Sequence, residues 1–153
     1  MHSFTDRQGQ SWNLDLNISS AKQVRAATEV DLLNVDDGRL FAGVLTDSAK
    51  LADVLFVLCQ AQAAERNISD EAFGRALAGD SIEAAADALL AEIIAFYPGH
   101  KRAALTAALA KMRSLETRMV NAAMDKLNCP ETDARLDALV AGIFDRAFAT
   151  VAG

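Results

Sequence analysis

The sequence predicts an α+β fold, predominantly α, in which an N-terminal β-hairpin packs on a bundle of about five to six helices. Three observations predict it. Trp12, Leu14, Leu16 and Ile18 alternate with Asn13, Asp15 and Asn17, the period-two pattern of a half-buried strand. Only Pro98 and Pro130 interrupt the 153 residues, which leaves long stretches able to be helical. The 52% hydrophobic content includes 31 alanines, and alanine favours helix while burying little area per residue. At this length a single domain over residues 1–153 is expected: a hairpin (1–18), a helical core (19–98), and a long helix followed by a C-terminal amphipathic helix (99–153).

Asp6 and Gly9 occupy the first and fourth positions of a type I turn, so residues 2–5 are expected to fold back against 11–18. A lone hairpin is marginal in water and must lie on something apolar. Ser19 or Ser20 is the expected cap of a short helix to about Thr28, with Ala21, Val24 and Ala27 inward and Lys22 and Arg25 in water. Val35-Asp36-Asp37-Gly38 reads as a turn, and Leu40, Phe41, Val44 and Leu45 fit a helical stretch ending near Thr46. Asp47 caps the next helix, which is apolar on nearly every side from Leu51 to Cys59, the mark of a central element. Asp53 interrupts it, either as the organiser of a buried hydrogen bond or as the sign of an exposed face.

Asn67 ends that helix, and Ser69-Asp70-Glu71 opens a short acidic-started one through Phe73 and Leu77. Asp80 with Glu83 three residues on resembles a capping box for a helix bearing Ala84, Ala85, Ala88, Leu89, Ile93, Ile94 and Phe96, stopped by Pro98-Gly99. A long helix over about 100–127 carries Leu105, Ala108, Met112, Leu115, Met119 and Ala122, alternately three and four apart. That narrow seam suits a neighbouring or a partner helix. Pro130 opens the last helix, whose stripe runs Leu136, Leu139, Val140, Ile143, Phe144, Ala147, Phe148, Val151.

A net charge of −6 argues against a sequence-independent hold on nucleic acid, because that affinity comes from Lys and Arg on phosphates. The charge is uneven, −9 over residues 28–92 and +4 over 100–128. Either the basic helix docks beside the acidic middle, or it keeps a basic face for an acidic partner. His2, His100, Cys59 and Cys129 have no metal-ligand spacing, and no nucleophile–base pair or glycine-rich phosphate loop is present. No catalytic, cofactor-binding or metal-binding residue is therefore expected. Asp36-Asp37 and Asp70-Glu71 read as turn and cap residues, Trp12 as a core anchor and Cys59 as a small core residue. Cys129 sits before Pro130 at a helix start and reads as structural. No basic stretch followed by an apolar one opens the chain, no apolar run is long enough to span a bilayer, and the last helix is too acidic to lie on one.

Phe4-Thr5-Asp6, Gly9, Trp12-Asn13-Leu14, Ile18, Lys22, Val24-Arg25, Val30-Asp31-Leu32-Leu33, the run Asp53 to Cys59, Ile68-Ser69-Asp70-Glu71, Phe73-Gly74, Gly79-Asp80 and Phe96-Tyr97-Pro98 together give the first 98 residues a resemblance. They resemble the small tail assembly chaperone-like proteins of long-tailed bacteriophages and prophages. The resemblance implies a non-catalytic protein in the cytoplasm of the bacterial host. Its partner would be the tape measure protein, bound during tail morphogenesis, and a frameshifted longer product often accompanies such proteins. The alternatives are a structural protein of the tail or virion, and a small cytoplasmic enzyme. Leu105, Met112, Leu115 and Met119 on the long helix, with Leu136, Val140, Ile143, Phe144 and Phe148 on the last one, are the candidate partner-binding residues; internal packing is the competing use of the same stripes.

Overall fold

The computed structural model describes residues 1–35 and 39–151, so positions 36–38 of the expected turn lie outside the described residues. The fold is α+β and predominantly α, with an antiparallel pair of strands and, among the described residues, seven helices. In order these are β1 (His2–Thr5), β2 (Ser11–Leu14), α1 (Ile18–Thr28), α2 (Arg39–Thr46), α3 (Ser48–Glu65), α4 (Asp70–Ala76), α5 (Asp80–Phe96), α6 (Gly99–Leu127) and α7 (Pro130–Val151). Two compact units are present, Met1–Ala103 and Ala104–Gly153.

In the first unit, Phe4 pairs with Trp12 across the hairpin, and the alternation of β2 buries Trp12 and Leu14, with Leu16 following them inward. The chain turns between the strands as the Asp6 carbonyl accepts the N–H of Gly9. Gly9 sits at φ +81°, a conformation glycine adopts without steric cost. The strand is shorter than the alternation suggested. It ends at Leu14, and Ile18, expected on the buried face, is the exposed first residue of α1. Asn17 explains the difference. Its extended backbone and short side chain let Oδ1 accept the N–H groups of Ser19 and Ser20, and Ser20 Oγ takes the Asn17 N–H in return. Ser20 is thus the reciprocal partner in the box rather than the cap. Ala21 and Val24 of α1 are buried as expected, whereas Ala27 is exposed.

Helix α3 is the hub of this unit, touching α1, α2, α4, α5 and β2. Leu51, Val54, Leu55, Cys59 and Ala63 are its buried positions, Phe56, Val57 and Leu58 are half-buried, and Asp53 stands on an exposed face. Asp47 caps α3 through Ala49 and Lys50, and Ser69 caps α4 through Ala72, both as the sequence predicts. Asn67, in the left-handed region at φ 55°, follows the end of α3. The box expected from Asp80 and Glu83 does not form. Gly79 is the N-cap and Asp80 is already helical, so its side chain is one residue too late to cap. Ser81 instead accepts the Ala78 N–H and donates to the Ala78 carbonyl, each at 2.9 Å.

Helix α5 lies against both strands and buries Ala85, Ala88, Leu89, Leu90, Glu92 and Ile93. Its end is tied down by Tyr97, whose hydroxyl donates to the Leu33 carbonyl at 2.6 Å, while the Arg102 guanidinium donates to the carbonyls of Ala95 and Tyr97. The second unit is built from α6 beyond Ala103 and from α7. None of the residues of α6 is buried. Asn128 and Cys129 connect the two helices, with Cys129 accepting the N–H groups of Thr132 and Asp133 and Thr132 Oγ1 donating to the Lys126 carbonyl.

Candidate functional site

Two acidic side chains in the first unit are buried, Asp6 in the hairpin turn and Glu92 on the apolar face of α5, and both act as fasteners. Asp6 is 6% exposed; its Oδ1 accepts the N–H groups of Gln8 and Gln10 at 2.8 and 3.0 Å, and its Oδ2 accepts the indole N–H of Trp12 at 2.9 Å. Glu92, 7% exposed, accepts the N–H and the ring Nδ1 of His2 on Oε2 at 2.9 and 2.6 Å and the N–H of Leu16 on Oε1 at 3.3 Å. The Met1 amine stands 3.5 Å from the same Oε2. Burial pushes the Glu92 carboxyl up, but the bonds from the His2 ring and the Leu16 amide outweigh it and hold the group below its ordinary value. With both oxygens occupied by donors from the start of β1 and the exit of β2, this imidazole–carboxylate pair pins the hairpin to α5.

The outer edge of β2 is closed by α3. Gln62 presents Oε1 to the Asn13 N–H at 3.1 Å and Nε2 to the Asn13 carbonyl at 2.7 Å, and Arg66 donates to the Ser11 carbonyl at 3.0 Å. The Arg66 guanidinium also lies 4.6 Å from the centre of the Trp12 ring, and Phe73 makes a T-shaped contact with the same ring at 4.8 Å. Trp12 is fully buried and serves as the anchor its position in the strand implied. Cys59 is buried beside this strand, and burial pushes its thiol up to about 12 against a downward pull from Arg66, a value that keeps it protonated near neutral pH. Cys129 is half-buried at the corner between α6 and α7, and His100 is exposed near the start of α6.

The depressions of the first unit are shallow. One, of about 700 Å³, opens between the hairpin turn and the start of α5, where Asp6, Arg7, Gly79, Asp80 and Ser81 line it. A second, of about 340 Å³, lies between α3, α4 and α5 with Leu51, Leu55, Leu77 and Ile82 on its floor and Asp53 and Asp70 among its lining residues. No imidazole or thiol lines either. Among the described residues no three His, Cys, Asp or Glu side chains gather as metal ligands, and no helix is long and apolar enough to cross a membrane.

The candidate partner-binding residues lie on α6 and α7. Leu105 is half-buried; Met112, Leu115 and Met119 are exposed, from 38% at Met112 to 72% at Met119. On α7, Leu136, Val140 and Ile143 are each at least half exposed. The side chains of Phe144 and Phe148 lie outside the described residues. The seam anticipated on α6 is broader than a three–four spacing implied, because Val120, Met124 and Leu127 are exposed as well, and Leu139, already in the expected stripe of α7, is exposed too. Glu92 and Gln62 were not expected as contributors, and Asp6, expected in the turn, was not expected to bind the Trp12 indole. Glu92 carried a signal in the sequence: it stands between Leu89, Leu90 and Ile93 on the face that the helical period turns inward.

No protein-family model, curated protein or solved structure matches this chain.

Proposed function

We propose that this chain is a non-catalytic assembly chaperone or adaptor of phage tail morphogenesis, binding the tape measure protein in the cytoplasm of the host cell without cofactor, metal, membrane or nucleic acid. One observation carries the reading: large apolar side chains stand exposed in rows along α6 and α7, while the first unit has a core of its own built on Trp12, Leu55, Phe73 and Ile93. Contiguous exposed apolar surface on a folded chain marks a site of interaction with another polypeptide. Helical stripes of this kind meet amphipathic helical partners side to side or in grooves. A tape measure is a long helical chain whose own apolar stripes would aggregate uncovered, which makes it a client of the matching chemistry. The resemblance over residues 1–98 supplies the biological setting, and the acidic balance of the chain disfavours nucleic acid as the partner.

Co-expression of the full chain with a tape measure protein from the same genome tests the proposal. The client is expected to stay soluble and to co-purify with the chain. Met119→Glu combined with Ile143→Glu is expected to abolish co-purification while leaving the chain folded. A client that precipitates equally with and without the chain, or a double variant that retains it fully, would defeat the reading.

A further inference from the structure

We propose that a second copy of this chain covers the exposed stripes, in a twofold dimer where the α6 stripe of each copy seats on the α7 stripe of the other. Among the described residues of one chain the two stripes do not cover each other. No residue of α6 is buried, and Leu136, Leu139, Val140 and Ile143 of α7 are exposed. The corner between them is short and pinned, with Thr132 Oγ1 on the Lys126 carbonyl at 2.8 Å and the Cys129 carbonyl accepting two amides of α7. The Thr132–Lys126 bond ties the first turn of α7 to the last turn of α6 and opposes a change in the path of the corner.

Charge selects the partner. Beyond Ala103, α6 carries Lys111, Arg113, Arg118 and Lys126 against Glu116 and Asp125, a net excess of base. Helix α7 carries Glu131, Asp133, Asp137 and Asp145 against Arg135 and Arg146, a net excess of acid. Pairing α6 with α6, or α7 with α7, sets like charge beside like charge around an apolar seam. Pairing α6 with α7 sets opposite charges there, which favours one register and orientation over others. A twofold arrangement satisfies both stripes of both copies at once and leaves no unmatched surface to propagate into a filament. The inference stands apart from the client reading, since it needs only the two stripes and their charges.

Sedimentation or light scattering of the full chain from low to high micromolar concentration tests it, with two variants chosen to break one helix each. Met119→Glu places an acid on the basic helix where it meets the acidic one; Val140→Lys places a base on the acidic helix where it meets the basic one. Wild type is expected to dimerise reversibly, and each variant alone to bind itself at least about a hundredfold more weakly, because a charge is buried without a partner. An equimolar mixture of the two variants is expected to dimerise again, because one of its two interfaces then pairs an unaltered α6 with an unaltered α7. Should either variant lose helix by circular dichroism, Leu115→Gln and Leu136→Gln replace the pair. Three results would overturn the proposal: a wild type that stays monomeric throughout, whose stripes then belong to a client alone; a Val140→Lys chain that dimerises like wild type, which would put α6 on α6; and a mixture that remains monomeric. A wild type that grows beyond a dimer would remove the closed twofold. Client capture by a strictly monomeric wild type would overturn this inference and leave the chaperone reading intact.

Discussion

Trp12 donates its indole N–H to Asp6 Oδ2 at 2.9 Å inside the core, six residues after the carboxylate in the chain and on the opposite side of the hairpin turn. The same carboxylate accepts two backbone amides of the turn, so one side chain both shapes the loop and satisfies the only polar atom of the largest buried side chain. A carboxylate taken out of water is tolerated when its oxygens are matched by donors in this way.

Asp6→Ala is accordingly expected to cost about 3 kcal/mol of unfolding free energy, since it orphans a buried indole and two turn amides at once. Asp6→Asn, which keeps one acceptor oxygen and the shape of the side chain, is expected to cost less. Urea titrations followed by tryptophan fluorescence measure both, and equal stability of the alanine variant and wild type would show that the hairpin does not rely on this contact.

Glu92 gives stability a pH dependence of definite sign. Its folded carboxyl titrates below the ordinary 4.5, burial being outweighed by the bonds from His2 and Leu16. A group depressed on folding stabilises the folded state fully at pH values well above its unfolded pKa, and that contribution is lost as pH falls through the folded value. Glu92→Gln is therefore expected to cost about 1–3 kcal/mol near neutral pH. The gap to wild type should then narrow as the solution is acidified below 4.5. A gap that stays constant into the acid range would remove the carboxylate from the account.

Local signals in the sequence located nearly every element of the first unit, because helix caps and strand alternation are local chemistry. Asp47 and Ser69 begin α3 and α4 where their side chains can reach the next free amides, and Trp12 and Leu14 alternate inward as a strand requires. The misplaced features have equally specific causes. Asn17 competes with Ser19 and Ser20 for the same cap, and its extended backbone decides the contest ahead of both serines. Glu92 and Gln62 do their work on Leu16 and Asn13, across 76 and 49 residues of chain, and no local pattern encodes such partners. The exposure of the stripes on α6 and α7 was likewise illegible, since the same periodicity serves a core or a partner.

The two cysteines should differ in reactivity. Cys59 has no exposed surface and burial pushes its thiol up to about 12, whereas Cys129 is partly accessible at the α6–α7 corner. A chromogenic disulfide reagent is expected to modify Cys129 in the native protein and Cys59 only at the rate of unfolding. Equal and rapid labelling of both in the absence of denaturant would mean that α3 opens locally beside β2.

Gly79 begins α5 at φ +59° and ψ −133°, a region that side chains with a Cβ rarely enter, although no atom stands near enough to meet an added Cβ. The strain of Gly79→Ala is thus confined to the backbone, and a loss of about 1–3 kcal/mol is expected in thermal or urea unfolding. A neutral substitution would indicate that the link between α4 and α5 can adopt another path at no cost.

The division of labour between the two units can be read from stability alone. Leu55 is fully buried in the hub helix, so Leu55→Ala is expected to cost about 2–5 kcal/mol through lost burial and the cavity left behind. Met119 and Leu136 are 72% and 52% exposed, so truncating either to alanine, a better helix former than most, removes far less buried surface than at Leu55. Each is expected to change the unfolding free energy of the chain, measured at a concentration low enough to keep it monomeric, by less than about 0.5 kcal/mol. The same two substitutions should weaken any association that covers the stripes. If instead Met119→Ala or Leu136→Ala lowered the stability of the monomer as Leu55→Ala does, the stripes would be internal packing of this chain, and their use as a surface for another polypeptide would be refuted.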